Sequence, residues 1–139
     1  MLAVSLGGIL GSLGRYGVAV ALPTPRGGWP WATFTVNITG SLAIGLLMVA
    51  LLEAATAPHP LARPLLGVGV LGGWTTFSTF AEDTRALGSG GSLGIAVGYV
   101  LASVVLGLLS VATGMALARW GMRARVRHRR PATGEGRAG

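Results

Sequence analysis

Residues Gly72 to Phe80, GGWTTFSTF, decide how this chain folds. They lie inside a hydrophobic segment that otherwise reads as a membrane helix. A lipid-facing helix has no use for two glycines, three threonines, a serine and two phenylalanines three residues apart. At membrane depth, backbone leaves the helical path only where it is buried in protein or lines a polar cavity. The stretch therefore predicts a helix broken beside a pathway or an ion site.

The rest of the chain supplies the membrane setting. Of 139 residues, 51% are hydrophobic and only 11% charged, against about 25% charged in ordinary soluble domains. No charged residue occurs from Trp29 to Leu52 or between Arg85 and Arg119, and a membrane helix needs about 20 apolar residues. Four hydrophobic segments follow: Leu2 to Leu22, Trp31 to Ala55, Leu65 to Ala81 and Ser92 to Ala118. Pro23 to Pro30, the prolines Pro58, Pro60 and Pro64, and the glycine-rich Gly88 to Gly91 mark the connections. Trp29, Trp31 and Trp120 suit the membrane interface. Arg15 interrupts the first segment and no basic residue precedes it, so that segment is expected to be a retained helix rather than a cleaved signal. The fold class is all-α, a membrane protein with four transmembrane helices, the third of them broken.

Charge sets the expected orientation. All eleven basic residues are arginine, the net charge is +7, and six of the arginines fall between Arg119 and Arg130. Residues 1–121 read as the transmembrane domain and 122–139 as a basic, disordered tail that touches anionic lipid rather than nucleic acid. Four spans place both termini on the side holding Glu53, Arg63 and this tail, with Arg26, Glu82, Asp83 and Arg85 opposite. The positive-inside rule then predicts that both termini are cytoplasmic.

Small residues recur at helix-packing spacing: Gly7 and Gly11, Gly40 and Ser41, Gly94 and Gly98, Gly107 and Gly114. In lipid, helices associate by close approach of such residues. Four short helices enclose little space, so oligomerisation is expected. Thr33, Asn37, Gly40, Ser41 and Ile44 share one helical face, as do Tyr99, Ser103, Gly107, Ser110 and Gly114. Each face reads either as interhelical hydrogen-bonding glue or as a polar track. Arg15 is expected to snorkel, to pair with Glu82 or Asp83, or to attract anions. Phe77 and Phe80 share a helical turn, and the positive edges of their rings suit a small anion.

Other chemistries lack their residues. The chain has no cysteine. Gly67, Gly69 and Gly72 match G-x-G-x-x-G, as do Gly134, Gly136 and Gly139, but neither set links a strand to a helix. His59 and His128 have no ligand-spaced partners, and no serine–histidine–carboxylate constellation exists. The chain does not read as an enzyme.

Three motifs carry a resemblance: GGILGSLGRYG at Gly7 to Gly17, ATFTVNITGSLAIGLL at Ala32 to Leu47, and GVLGGWTTFSTFAED at Gly69 to Asp83. In this order, within four spans, they resemble the CrcB/Fluc family of fluoride channels over residues 2–120. The resemblance implies a passive fluoride-selective channel in the cytoplasmic membrane that lets cells expel fluoride. It implies a dual-topology, antiparallel dimer with pores at the subunit interface. By position, Phe77 and Phe80 would be the pore-lining aromatic pair and Asn37 the pore asparagine. Ser78 and Thr79 would be polar neighbours, Tyr99 and Ser103 would form the fourth-helix pore face, and Arg15 would lie near an entrance. A structural Na+ at the dimer centre would take backbone carbonyls of Gly72 and Thr75. The strongly basic tail departs from the balanced loop charge usual in dual-topology homodimers, so the partner is either a second copy or a related, oppositely inserted subunit. Two other readings compete. A small proton-coupled exporter needs a carboxylate at membrane depth, and Glu53, Glu82, Asp83 and Glu135 all sit at segment ends or in the tail. A non-transporting scaffold subunit leaves GGWTTFSTF and Asn37 unexplained.

Overall fold

A computed structural model of the chain describes residues 1–53 and 59–128, and all its regular structure there is helical. Helix α1 spans Leu2–Ala21 and α2 spans Trp31–Leu52. A π-helical stretch, Arg63–Val70, runs into the short α3, Leu71–Trp74. Helix α4 spans Phe77–Ser89 and α5 spans Leu93–His128. Three of these helices, α1, α2 and the α5 stretch Leu93–Ala124, are long and apolar enough to cross a membrane. The protein is a multi-pass membrane protein. The third span, expected over Leu65 to Ala81, falls within a 63–89 stretch that is interrupted and carries Arg63, Glu82, Asp83 and Arg85.

The boundaries differ from expectation where charge was taken as a stop signal. The third segment was expected to end at Ala81, yet α4 continues through Glu82, Asp83 and Arg85 to Ser89. Charged residues are good helix formers where water reaches them. The actual stop is glycine: Gly90 follows the helix, and Gly91 takes φ +82, a left-handed conformation that suits glycine. Likewise α5 continues past residue 121, where the tail was expected to begin, to His128. Residues 129–139, the rest of that tail, lie outside the described residues.

Two packings build the bundle: α1 lies along 63–74, and α2 lies along α5. Both are glycine seams. Side chains at Gly7 and Gly11 would collide with the Leu65 and Val70 carbonyl oxygens, and one at Gly73 with the backbone of Gly8 and Ser12. Between α2 and α5, side chains at Gly45 and Gly114 would collide with the Val111 and Leu42 carbonyl oxygens. The Gly107–Gly114 end of the α5 small-residue stripe is therefore a seam against α2, not an open polar track. Glycine's cost in helices is repaid by backbone approach.

Few large side chains are buried. Val36, Val49 and Tyr99 are at most 2% exposed, whereas Leu6, Ile9 and Leu13 on α1 and Leu101, Val104, Val105 and Leu108 on α5 are mostly exposed. So much outward apolar surface requires lipid or a partner to cover it. At one end of the bundle Arg119 clamps Glu53 through both carboxylate oxygens, at 2.7 to 3.1 Å. This ion pair holds the Glu53 carboxyl below its usual range. Being exposed, it fixes which helix ends lie together more than it stabilises them.

Gly11→Ala is expected to destabilise the protein by about 1–3 kcal/mol through overpacking. Gly17→Ala, on the open side of α1 with nothing near it, is expected to leave stability unchanged or slightly raised. Thermal melting of the two variants in detergent checks the difference.

Candidate functional site

The site is built where α3 stops. Thr75 (φ −80, ψ 157) and Thr76 (φ −148, ψ 126) are extended, so the chain leaves the helix for two residues before α4 begins. Threonine serves both ends. The Thr75 N–H and hydroxyl both donate to the Leu71 carbonyl, at 3.0 and 2.9 Å, closing α3. The Thr76 hydroxyl oxygen accepts the Thr79 N–H at 3.2 Å and caps α4. Its O–H donates to the Thr79 hydroxyl oxygen at 3.0 Å.

Neighbouring helices satisfy backbone groups that the break releases. The Thr76 N–H, which in a continuous helix would bond to the Gly72 carbonyl, donates to Asn37 Oδ1 at 2.9 Å. Asn37 Nδ2 in turn donates to the Thr76 carbonyl at 3.0 Å. The side-chain amide thus pairs with Thr76 as a neighbouring β-strand would. Arg15 Nε donates to the Gly73 carbonyl at 3.1 Å, and Trp74 Nε1 donates to the Thr39 hydroxyl at 3.0 Å. Glycines make room: a side chain at Gly14 would strike the Trp74 ring, and one at Gly40 the Thr75 methyl.

This geometry revises the expectations for Arg15. It pairs with neither Glu82 nor Asp83, because Arg119–Glu53 is the only ion pair among the described residues. Instead it is half-buried against the break and lines a cavity of about 230 Å³ with Ser12, Tyr16, Thr33, Thr76 and Thr79.

On the opposite face of the break an open groove of about 360 Å³ brings together Asn37, Phe77, Phe80 and Ser103, with Ser41, Ile44, Thr75, Thr76 and Val104. The Phe77 and Phe80 rings lie 6.0 Å apart at 41°. Phe77 is 80% exposed and points away from the bundle. Three of the residues expected at the pore lie outside this groove. Tyr99 is fully buried behind Phe80, 5.2 Å ring to ring, and stacks edge-on with Trp29 at 5.6 Å. Thr79 faces the Arg15 cavity. Ser78 is exposed, 3.2 Å from the Thr76 hydroxyl. Ser103, one turn beyond Tyr99, reaches the groove with a buried hydroxyl that has no partner in the protein.

Gly72 is exposed with open space beside it, and Thr75 is half-buried. Their carbonyls flank the interruption. No charged side chain lines the groove. Its donors are the remaining Asn37 N–H, the Ser41 and Ser103 hydroxyls and positive ring edges, which suit a small anion held weakly at several points.

Sequence reasoning missed Trp74 and Thr39, which lock the break to α2, and the capping role of Thr76. A threonine immediately before an apolar helical turn was a legible cap signal; nothing in the spacing paired Trp74 with Thr39.

Asn37→Ala removes both hydrogen bonds to Thr76 and leaves a part-buried backbone pair unmet. We expect a loss of about 1–3 kcal/mol, in line with the cost of an unpaired buried group. Melting in detergent reads it, with Thr113→Ala, whose hydroxyl serves only its own helix on an exposed face, as the neutral control.

Residues 2–115 match the family model described as CrcB-like protein, Camphor Resistance (CrcB). The chain is 50% identical to the Nocardia farcinica protein named fluoride-specific ion channel FluC 2, over 86% of this chain and 85% of that protein. It is 48% identical to the Paracoccus denitrificans fluoride-specific ion channel FluC, over 85% and 93%. It is 45% identical to the Streptomyces coelicolor fluoride-specific ion channel FluC 1, over 86% and 75%. With the glycine seams, the interrupted helix and the groove beside it, this similarity leads to one conclusion: the chain belongs to the CrcB-like family.

Proposed function

We propose that this protein is a subunit of a passive fluoride-selective channel in the cytoplasmic membrane. One observation carries the reading: a groove at the helix interruption joins a phenylalanine pair to neutral hydrogen-bond donors and contains no charged group. Fluoride is small and strongly hydrated, so a filter must replace its water with donors. Weak contacts at several points let the ion leave as readily as it enters. The names of the family relatives support the same ion. A proton-coupled exporter would need a carboxylate in this groove, and none lines it.

In this reading the 63–74 and 77–89 stretches form one broken third span, and four spans place both termini in the cytoplasm. The groove is one wall of a pore, and a second chain in antiparallel orientation supplies the other. The exposure of Phe77 and of the apolar faces of α1 and α5 supports such a partner. The partner is a second copy or a related subunit. The arginine-rich end of α5 favours a single orientation and hence a distinct, oppositely inserted partner.

A structural Na+ fits the residues present. The Gly72 carbonyl loses its helical donor when the Thr76 N–H turns to Asn37, and the Thr75 carbonyl belongs to extended backbone. Carbonyl oxygens are suitable ligands for a hard cation, and two from each of two chains would surround it. Bound there, Na+ would hold the subunits together and add positive charge to the pore region.

Purified protein in liposomes is expected to release fluoride and retain chloride. Phe80→Ile is expected to cut fluoride flux by about tenfold or more, equal to ~1.4 kcal/mol of barrier. A fluoride electrode reads both. Flux that appears only when a related subunit is co-reconstituted assigns the protein to a mixed dimer; a chloride flux equal to fluoride overturns the reading. Replacing Na+ with N-methylglucamine is expected to shift the protein from dimer towards monomer, as read by light scattering in detergent.

A further inference from the structure

A second cavity lies beyond the groove, at the end of the bundle opposite the Glu53–Arg119 pair. Its volume is about 590 Å³. The α1–α2 loop walls one side with Thr24, Pro25, Arg26 and Gly27; Asp83, Leu87 and Ser92 contribute to the other. On α4, Phe80, Asp83 and Leu87 fall at i, i+3 and i+7, one face of the helix. Leu87 packs in the same buried cluster as Tyr99, with Phe80 against it. The cavity therefore opens about one helical turn past the Phe80–Tyr99 contact.

Two features bear on what this cavity holds. Arg26 and Asp83 both line it, yet they form no ion pair. Asp83 Oδ2, the Tyr99 hydroxyl and Ser103 Oγ are buried without a well-formed hydrogen bond, although Asp83 and Tyr99 lie close enough to interact. Buried polar atoms without protein partners call for water or an ion. Ser103 lines the groove, Tyr99 lies one turn from it on α5, and Asp83, next to Tyr99, lines the cavity. The Asp83 carboxylate at the end of that path repels an anion. The guanidinium of Arg26, on a loop that turns at Gly27 with φ +69, is the one positive charge among the lining residues.

We propose that this cavity is an antechamber for small hard anions on the ion path, and that Arg26 draws the anion in by offsetting the charge of Asp83. The inference rests on the channel reading above. It gives Arg26 an electrostatic role at the mouth, separate from the filter groups in the groove. The effect is long-ranged at low salt and short-ranged at high salt, because the Debye length falls from about 30 Å at 0.01 M to ~3 Å at 1 M.

The absence of native cysteine permits a test on folded, assembled protein. Arg26→Cys is reconstituted in phosphatidylcholine liposomes, alone or with whichever partner the parent requires. It is then treated with methanethiosulfonate reagents carrying an ammonium or a sulfonate group. At an ionic strength of about 0.01 M, the ammonium adduct is expected to conduct fluoride at least about threefold faster than the sulfonate adduct. The gap is expected to close near 1 M. Adding Asp83→Asn to Arg26→Gln is expected to remove the salt dependence that Arg26→Gln introduces. Equal flux for the two adducts at low salt, or a difference unchanged by salt, overturns the antechamber and leaves a conducting parent as a fluoride channel. A parent that conducts no fluoride in any pairing overturns both readings.

Discussion

The structure depends on one constraint: backbone that leaves the helix while packed among membrane-spanning helices must find its hydrogen bonds sideways. Two residues, Thr75 and Thr76, leave it. Their neighbourhood is then specified almost atom by atom. Asn37 meets both polar groups of Thr76, Arg15 takes the Gly73 carbonyl, and Thr39 holds the Trp74 indole. Each donor or acceptor must sit within hydrogen-bonding distance, so α1 and α2 must approach the 63–74 stretch closely. Gly7, Gly11, Gly14 and Gly40 permit that approach. Glycine seams and the break are two aspects of one requirement.

The same arrangement explains why the groove lacks charge. An arginine is present near the break, but Nε is committed to a carbonyl on the far face. Charge placed in the groove would bind a small anion too firmly to release it. The groove instead presents an amide, hydroxyls and ring edges, while lipid or a partner subunit covers the apolar surface around it. Asn37 does two jobs with one side chain: it braces the interruption and helps to line the groove.

The sequence made the break legible because GGWTTFSTF is chemically unsuited to lipid, and the family resemblance followed from motif order. Phe77, Phe80, Asn37 and Ser103 do converge on one groove. Partnership was far less legible. Spacing places Asn37 and Ser41 on one face but does not say that the amide will pair with a backbone unit 39 residues away. For Arg15 the sequence offered snorkelling, a carboxylate or an anion, whereas the carbonyl of Gly73 beside it is the acceptor it takes. Helical period put Tyr99 and Ser103 on one face but did not say that the Tyr99 ring would pack behind Phe80. Charge at Glu82 and Asp83 looked like a helix end; the end is set by Gly90 and Gly91 instead.

The partners of the interruption also have an order in time. Arg15, Asn37 and Thr39 all precede Thr75 and Thr76 in the chain, and chains are made from the N-terminus at about 5–20 residues per second. When the awkward segment leaves the ribosome, the side chains that will satisfy it have already been synthesised. The reverse order would leave bare backbone waiting in the bilayer for helices not yet made. The linear arrangement of this small protein thus suits its own biogenesis: the brace is built before the part it must hold.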